Sequence, residues 1–162
     1  AIYEQAAAVA ELCKGSGARL IINDRADIAA MLGAGVHVGQ DDLPPDAIRR
    51  AFVPDKFLGF STHNPEQILA VTGEPDYIAL GPIFATGSKE NPDPVVGLEN
   101  LKAWRPLWNG PLVAIGGITR ANAPDVISAG ADSVAVIGDA MPAEATPAAL
   151  RKRTREWIEL LK

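Results

Sequence analysis

The chain is poor in the features that mark several classes of protein. It has a single cysteine, Cys13, among its 162 residues, which excludes an intramolecular disulfide and a cysteine-rich zinc site. No apolar run approaches the roughly 18 residues of a membrane span, and no signal peptide is visible. Lys and Arg number 15 against 20 Asp and Glu, which gives a net charge of −5. This balance argues against general binding to nucleic acid or anionic membranes. We therefore expect a cytoplasmic protein with no membrane or nucleic-acid partner.

Apolar residues, by contrast, are plentiful and regularly arranged. They make up 48% of the chain, enough for one globular domain over residues 1–162. Short apolar runs bounded by Gly, Pro, Asp or Asn alternate with helical patterns, and the chain opens with a helical segment. Alternation of this kind predicts parallel strands with helices packed outside them. The predicted strands are 19–24, 35–40, 56–62, 76–83, 111–117 and 133–138.

Two architectures are compatible with six such strands. A doubly wound sheet can hold six, whereas a (β/α)8 TIM barrel has eight. The last two predicted strands end in glycines, in the segments "IGGIT" and "VIGDA". Glycines after strands seven and eight of a barrel typically form a phosphate site from backbone N–H groups. This match favours a TIM barrel that lacks its first two strands, so that six strand–helix units are present.

Acidic side chains follow the first two predicted strands, at the edge where parallel α/β folds carry function. Asp24 comes after the first strand, and Asp42 comes after the second. Carboxylates at neighbouring strand ends can share a hard cation such as Mg²⁺ with the phosphate oxygens of a substrate. The alternative is that Asp24 caps the next helix and that Asp42 only opens the loop before Pro44.

The longest connection is "GPIFATGSKENPDPVVG", residues 81–97. Thr86 and Ser88 supply hydroxyl donors, Lys89 supplies an ammonium, and the glycines let the backbone approach a ligand. This combination suits a phosphate or a diphosphate. The alternative is a surface loop with a solvated lysine, although long loops in compact domains are often functional.

The two histidines and the polar residues after the third strand allow more than one interpretation. His37 lies within a strand, where a buried, hydrogen-bonded histidine is expected. Ser61 could bind an anion, and His63 could act as an acid, a base or a spacer. Asn64 precedes Pro65 and is expected to cap a helix.

Taken together, the segments "IINDRADIA", "GVHVGQDDLP", "LGFSTHN", "YIALGPIFATGSK", "VVGLE", "VAIGGIT" and "AGADSVAVIGDA" resemble thiamine-phosphate synthases. The resemblance covers essentially the whole chain and implies a (β/α)8 barrel. It also implies a cytoplasmic transferase of thiamine biosynthesis that requires Mg²⁺. Such an enzyme joins a pyrimidine-methyl diphosphate to a thiazole phosphate and releases thiamine phosphate and pyrophosphate. The partners would then be small-molecule substrates, and a homo-oligomer is left open.

The resemblance implies a role for ten residues of this chain. The Mg²⁺ ligands would be Asp24 and Asp42. The catalytic contacts to pyrophosphate would be Ser61 and Lys89. Asn23 would help to hold the pyrimidine, and the thiazole phosphate would be bound by Thr86, Ser88, Gly117, Ile137 and Gly138.

One departure from the family pattern keeps alternatives open. The family carries a Gln-x-Arg-x-Lys motif that binds the diphosphate on its second strand, and no such motif occurs in this chain. It would lie just before the first helix, in agreement with the expectation of two missing strands. The first alternative is a thiazole tautomerase of the same family, with His63 as its acid–base residue. The second is a truncated, non-catalytic barrel remnant that binds phosphate ligands.

Overall fold

The computed structural model describes residues 2–53, 55–87 and 93–162. The chain divides into two compact units, Ala1–Thr62 with Ala70–Ile78, and His63–Leu69 with Ala79–Lys162. The strands are β1 (Ile21–Asn23), β2 (Gly35–Val38), β3 (Leu58–Thr62), β4 (Tyr77–Leu80), β5 (Leu112–Ile115) and β6 (Ser133–Ala135). The helices are α1 (Ile2–Cys13), α2 (Ala26–Leu32), α3 (Pro45–Ala51), α4 (Pro65–Leu69), α5 (Gly97–Trp104), α6 (Ala123–Ser128) and α7 (Pro147–Leu160).

The strands are parallel and follow chain order within each unit. In the first unit β2 lies between β1 and β3, and Val36 pairs with Ile22 on one side and with Leu58 on the other. In the second unit β5 runs parallel to β6, with Ala114 opposite Val134. The predicted parallel α/β class and its six strands are therefore confirmed. That the chain is a TIM barrel without its first two strands, and that residues 1–162 form a single domain, stay predictions.

Each unit has an apolar core, and in the first unit β2 and β3 are largely buried on both faces, as is usual for parallel strands. In the first unit the strand residues pack against the inner faces of α2 and α3. Its fully buried side chains include Val36, Val38 and Leu58. In the second unit Leu101 and Leu112 are also fully buried. In the described part of the chain, no helix has the length and apolar character to cross a membrane.

An aspartate clamps the start of β3 in the first unit. Asp76 precedes β4, and its Oδ2 accepts a hydrogen bond from the Leu58 N–H at 2.7 Å. The Asp76 N–H donates to the Leu58 carbonyl at 2.8 Å. Arg49 of α3 donates to the same Oδ2 at 3.1 Å. The carboxylate therefore fixes the first residue of one strand to the start of the next and holds a helix against both.

The second unit repeats this arrangement with different residues. Asp132 precedes β6, and its Oδ2 accepts from the Leu112 N–H at 2.8 Å and from Arg105 Nη2 at 3.1 Å. The Asp132 N–H donates to the Leu112 carbonyl at 2.9 Å. Both clamps lie at the amino ends of strands, the edge of a parallel α/β fold that is associated with stability.

We expect Asp76→Ala and Asp132→Ala each to lower the free energy of unfolding by about 1–3 kcal/mol, because each leaves a strand N–H without its acceptor. The Asn variants should lose less, since an amide oxygen still accepts that N–H. Urea denaturation would measure the change, with Asp41→Ala as the control because Asp41 is an exposed carboxylate. A clamp variant as stable as the control would contradict this account.

Candidate active site

The structure brings the two predicted metal ligands, Asp24 and Asp42, close together in the first unit. Asp24 directly follows β1 with a φ of 63°, a left-handed conformation that Asp adopts more readily than most residues. Its N–H donates to the His37 carbonyl at 2.8 Å. Its side chain interacts electrostatically with the side chains of Asn23 and Asp42. Asp42 is held in turn by the Gly39 N–H, which donates to its Oδ2 at 2.7 Å.

The electrostatics of this pair suit a divalent cation. Partial burial and the neighbouring Asp42 carboxylate raise the pKa of Asp24, while the hydrogen bond to Asn23 acts in the opposite direction. A cation would relieve the repulsion between the two carboxylates. The described residues contain no group of three or more His, Cys, Asp or Glu side chains that could hold a metal. Two carboxylates fit Mg²⁺, which takes its other ligands from water and substrate phosphate.

His37 connects Ser61 to Tyr77 in the same unit. Its Nε2 lies 2.8 Å from Ser61 Oγ, and its Nδ1 lies 2.8 Å from the Tyr77 hydroxyl oxygen. The His37 and Tyr77 rings are stacked, with centroids 5.4 Å apart. Gln40 Nε2 donates to the Ser61 carbonyl at 2.6 Å. His37 was expected to be a buried, hydrogen-bonded strand histidine; the hydrogen bonds are confirmed, but the residue is half-buried.

This array can present Ser61 as a donor to an anion. Burial lowers the pKa of His37, with Asp42 acting in the opposite direction, so the imidazole is neutral at pH 7. In the tautomer in which the Tyr77 hydroxyl donates to Nδ1, the ring proton is on Nε2 and is donated to Ser61 Oγ. The Ser61 hydroxyl hydrogen is then free to point at a ligand.

The lowered pKa of His37 predicts a loss of stability at acid pH. As the pH falls below 6.5, the ordinary pKa of histidine, His37 is protonated in the unfolded chain before it is protonated in the folded chain. Stability is therefore full above that pH and decreases as the pH falls towards the folded-state pKa. When the pH is lowered from about 7.5 to about 5.5, we expect the free energy of unfolding to decrease less in His37→Gln than in the parent chain. Urea denaturation at both pH values tests this, and equal losses in the two proteins would contradict it.

In the second unit, the loops that follow β4 and β5 pack against each other. After β4, the Phe84 N–H donates to the Gly116 carbonyl at 3.0 Å. Gly117 has a φ of 64°, and a Cβ on it would lie 2.6 Å from the Ala85 carbonyl oxygen. Only glycine allows this approach, which brings the segment leading to the half-buried Thr86 against the turn after β5. The predicted ligands Ser88 and Lys89 lie outside the described residues.

The turn after β6 lies beside the turn after β5, because the two strands are parallel neighbours. It is a 3₁₀ turn, Gly138–Ala140, preceded by Ile137, whose side chain is 64% exposed. Gly138 has open space around it, since an added Cβ would meet no atom within 4 Å. The structure thus brings Gly117, Ile137 and Gly138 to one edge of the second unit.

His63 is engaged by the protein at both ring nitrogens. Nδ1 lies 2.6 Å from the Gly81 carbonyl oxygen, and Nε2 lies 3.5 Å from Asp93 Oδ2. Because a carbonyl only accepts, Nδ1 carries a proton. The Nδ1 hydrogen bond orients the ring, and the acid–base role that the tautomerase alternative requires of His63 stays a prediction. The predicted cap is confirmed, since Asn64 Oδ1 accepts from the Gln67 N–H at 2.9 Å.

Sequence reasoning missed Tyr77 as a neighbour of the site, although one signal pointed to it. Gly59 lies inside β3, and a glycine within a strand often marks a close approach. A Cβ there would lie 2.2 Å from Tyr77 Cζ and 2.4 Å from His37 Nδ1. The missing side chain is what lets the tyrosine and histidine meet.

Comparisons with known proteins agree with the sequence resemblance. The sequence profile described as thiamine monophosphate synthase matches residues 1–140. The thiamine-phosphate synthase of Koribacter versatilis (strain Ellin345) is 56% identical over 144 residues, which cover 88% of this chain and 65% of that protein. The thiamine-phosphate synthase of Chloroflexus aurantiacus is 45% identical over 153 residues, covering 93% of this chain and 70% of that protein.

A solved structure gives the same result. The thiamine phosphate pyrophosphorylase from Pyrococcus furiosus superposes with a TM-score of 0.84 at 32% identity, covering 98% of this chain and 75% of that one. This chain therefore spans between 65% and 75% of the length of these three relatives. On all of these matches, the chain belongs to the thiamine monophosphate synthase family.

Proposed function

We propose that this chain acts as a thiamine-phosphate synthase. It would condense 4-amino-2-methyl-5-(diphosphooxymethyl)pyrimidine with 4-methyl-5-(2-phosphoethyl)thiazole to give thiamine phosphate and pyrophosphate. The observation that carries the proposal is the electrostatic interaction between the neighbouring Asp24 and Asp42 carboxylates in a chain of this family. Relatives named thiamine-phosphate synthase, one of them 56% identical, support the same activity.

Asp24 and Asp42 would hold Mg²⁺. When bound, the ion would offset the negative charge that develops on the departing pyrophosphate. Asn23, which hydrogen bonds to Asp24, would help to fix the pyrimidine. Both carboxylates must be ionised to bind the ion, and bound Mg²⁺ would counteract the effects that raise the pKa of Asp24.

Ser61 and Lys89 would bind the pyrophosphate as it leaves. The bond between the methylene carbon and the diphosphate oxygen breaks, and its electron pair stays with pyrophosphate. The thiazole nitrogen then uses its lone pair to form the new carbon–nitrogen bond. No protein nucleophile or proton transfer is needed, so the chain's contribution is charge stabilisation and proximity. The orientation of Ser61 by His37 supports its role as a donor to the leaving group.

The thiazole phosphate would be bound in the second unit. Thr86 and Ser88 would donate hydroxyl hydrogen bonds to it. Gly117, Ile137 and Gly138 would offer backbone N–H groups from the turns after β5 and β6. The close packing of Gly117 against the chain leading to Thr86 supports a shared site for these groups.

The test is to incubate the purified chain with both substrates and Mg²⁺ and to measure thiamine phosphate by chromatography. We expect product, and we expect chelation of Mg²⁺ to abolish it. A folded chain that binds the thiazole phosphate but forms no product would overturn the synthase proposal in favour of a phosphate-binding remnant. Interconversion of thiazole phosphate tautomers without condensation would favour the tautomerase instead.

A further inference from the structure

One side chain joins the two turns that would bind the thiazole phosphate. Asp139 follows Gly138 in the turn after β6, and Arg120 lies three residues beyond Gly117 in the loop after β5. Asp139 Oδ2 accepts from Arg120 Nε at 2.8 Å and from the Arg120 backbone N–H at 3.3 Å. A single carboxylate oxygen therefore receives both a side chain and a backbone group from the neighbouring turn.

Helix α7 supports this link from behind. Arg153 Nη1 donates to the Asp139 carbonyl and lies 3.7 Å from its Oδ1. Glu156 Oε2 accepts from Arg120 Nη1 and lies 3.4 Å from Arg153 Nε. Two arginines thus face two carboxylates, and the exposed Lys152 lies 4.0 Å from Glu156 Oε1 at the edge of the cluster. Arg120 itself faces both carboxylates. Because the charge of Arg120 is already balanced, the arginine serves to hold the turn and not to bind a phosphate directly.

The carboxylate of Asp139 is ionised in this setting. Burial would raise the pKa of Asp139, but the hydrogen bonds and charge of Arg120, together with the charge of Arg153, outweigh burial and lower that pKa. Its side chain is only 19% exposed, so the link is partly shielded from water. The ion pair should therefore persist at neutral pH.

The loop after β5 is also fixed from within. Asn122 Oδ1 accepts from the Thr119 N–H at 2.8 Å, and Asn122 Nδ2 donates to the Gly117 carbonyl at 3.2 Å. Because Asn122 of the same loop hydrogen bonds to that carbonyl, the loop itself fixes the orientation of the Gly117 peptide. The remaining freedom is the distance between this loop and the turn at Gly138, which Arg120 and Asp139 span.

We propose that Arg120 and Asp139 are positioning residues that set the spacing between the two phosphate-binding turns and so determine affinity for a phosphate monoester. The proposal rests on the function given above, with the thiazole phosphate as the ligand. Neither residue touches the phosphate. The pair acts by holding the backbone N–H groups of Gly117 and Gly138 at a fixed separation.

Calorimetric titration of the chain and its variants with the thiazole phosphate, and with the thiazole alcohol that lacks the phosphate, tests this proposal. We expect Asp139→Ala, which removes the acceptor of both Arg120 hydrogen bonds, to weaken binding of the phosphate ester by about tenfold, or about 1.4 kcal/mol. Affinity for the alcohol should not change. In turnover assays the KM for the thiazole phosphate should rise, and the KM for the pyrimidine diphosphate should stay the same.

Two further variants keep the test decisive. Arg120→Lys retains the charge but loses the planar donor set, and we expect it to show an intermediate loss of affinity. It carries the test if Asp139→Ala proves too unstable to study. Arg155→Gln removes an exposed positive charge from α7 and is the matched control, with unchanged affinity. If the parent chain binds the phosphate ester and both cluster variants bind it equally well, the inference is overturned and the synthase proposal stands. If the parent chain neither binds the ester nor forms product, both are overturned.

Discussion

Replacing Asp42 by asparagine is expected to reduce thiamine phosphate formation by about 100-fold or more, the loss typical of removing one charge-stabilising group from an active site. The Gly39 N–H donates a hydrogen bond to Asp42 Oδ2 at 2.7 Å, and the side-chain oxygen of an asparagine can still accept that bond. The local turn should therefore survive, and the lost charge should account for the effect. A higher Mg²⁺ concentration should recover part of the activity, since the remaining carboxylate of Asp24 still binds the ion.

The neighbouring Asp41 provides the control for this experiment. Its side chain is exposed, and Asp41→Asn makes the same change in net charge one residue away. We expect the Asp41 variant to retain the activity and the Mg²⁺ dependence of the parent chain. Equal turnover by the Asp42 and Asp41 variants would show that the carboxylate pair does not hold the metal.

Replacing Gly59 by alanine is expected to lower the free energy of unfolding by about 1–3 kcal/mol through overpacking. The added methyl would lie 2.2 Å from Tyr77 Cζ and 2.4 Å from His37 Nδ1. Because both contacts are far shorter than van der Waals distance, the tyrosine and histidine rings must move apart. Their hydrogen bond, now 2.8 Å, would be broken, and Ser61 would lose its ordered neighbour.

Urea denaturation compared across three variants separates the causes. Gly87→Ala is the control, since an added Cβ at Gly87 would meet no atom within 4 Å and should leave stability unchanged. Tyr77→Phe removes only the hydroxyl and should cost about 1 kcal/mol, the usual net value of one hydrogen bond. A Gly59 variant no less stable than the Gly87 variant would contradict the packing of His37 against Tyr77.

The sequence was sufficient to predict the class of fold, because buried parallel strands have typical sequences, namely short apolar runs between turn residues. It did not predict where the strands end. The last predicted strand, 133–138, is a strand only over Ser133–Ala135, because the chain turns into 3₁₀ geometry at Gly138. Hydrophobicity continues through Val136 and Ile137 although the ladder has ended, so the pattern alone overextends the strand.

The sequence predicted those residues of the candidate site that come directly after a strand in the chain. Asp24 and Asp42 were expected at neighbouring strand ends, and they lie close enough for the Asp42 carboxylate to raise the pKa of Asp24. What the sequence does not reveal are contacts between residues far apart in the chain. Tyr77 reaches His37 across 40 residues, and Arg120 reaches Asp139 across 19. Such pairs depend on strand register and loop path, which no local pattern encodes.

The most direct measurement is the stoichiometry of the reaction in a single assay. The purified chain is given both substrates with Mg²⁺, and pyrophosphate and thiamine phosphate are measured together over time. The account predicts equal amounts of the two products, with neither formed when Mg²⁺ or the thiazole phosphate is left out. A folded chain that releases no pyrophosphate, or releases it without forming thiamine phosphate, would contradict the proposed function.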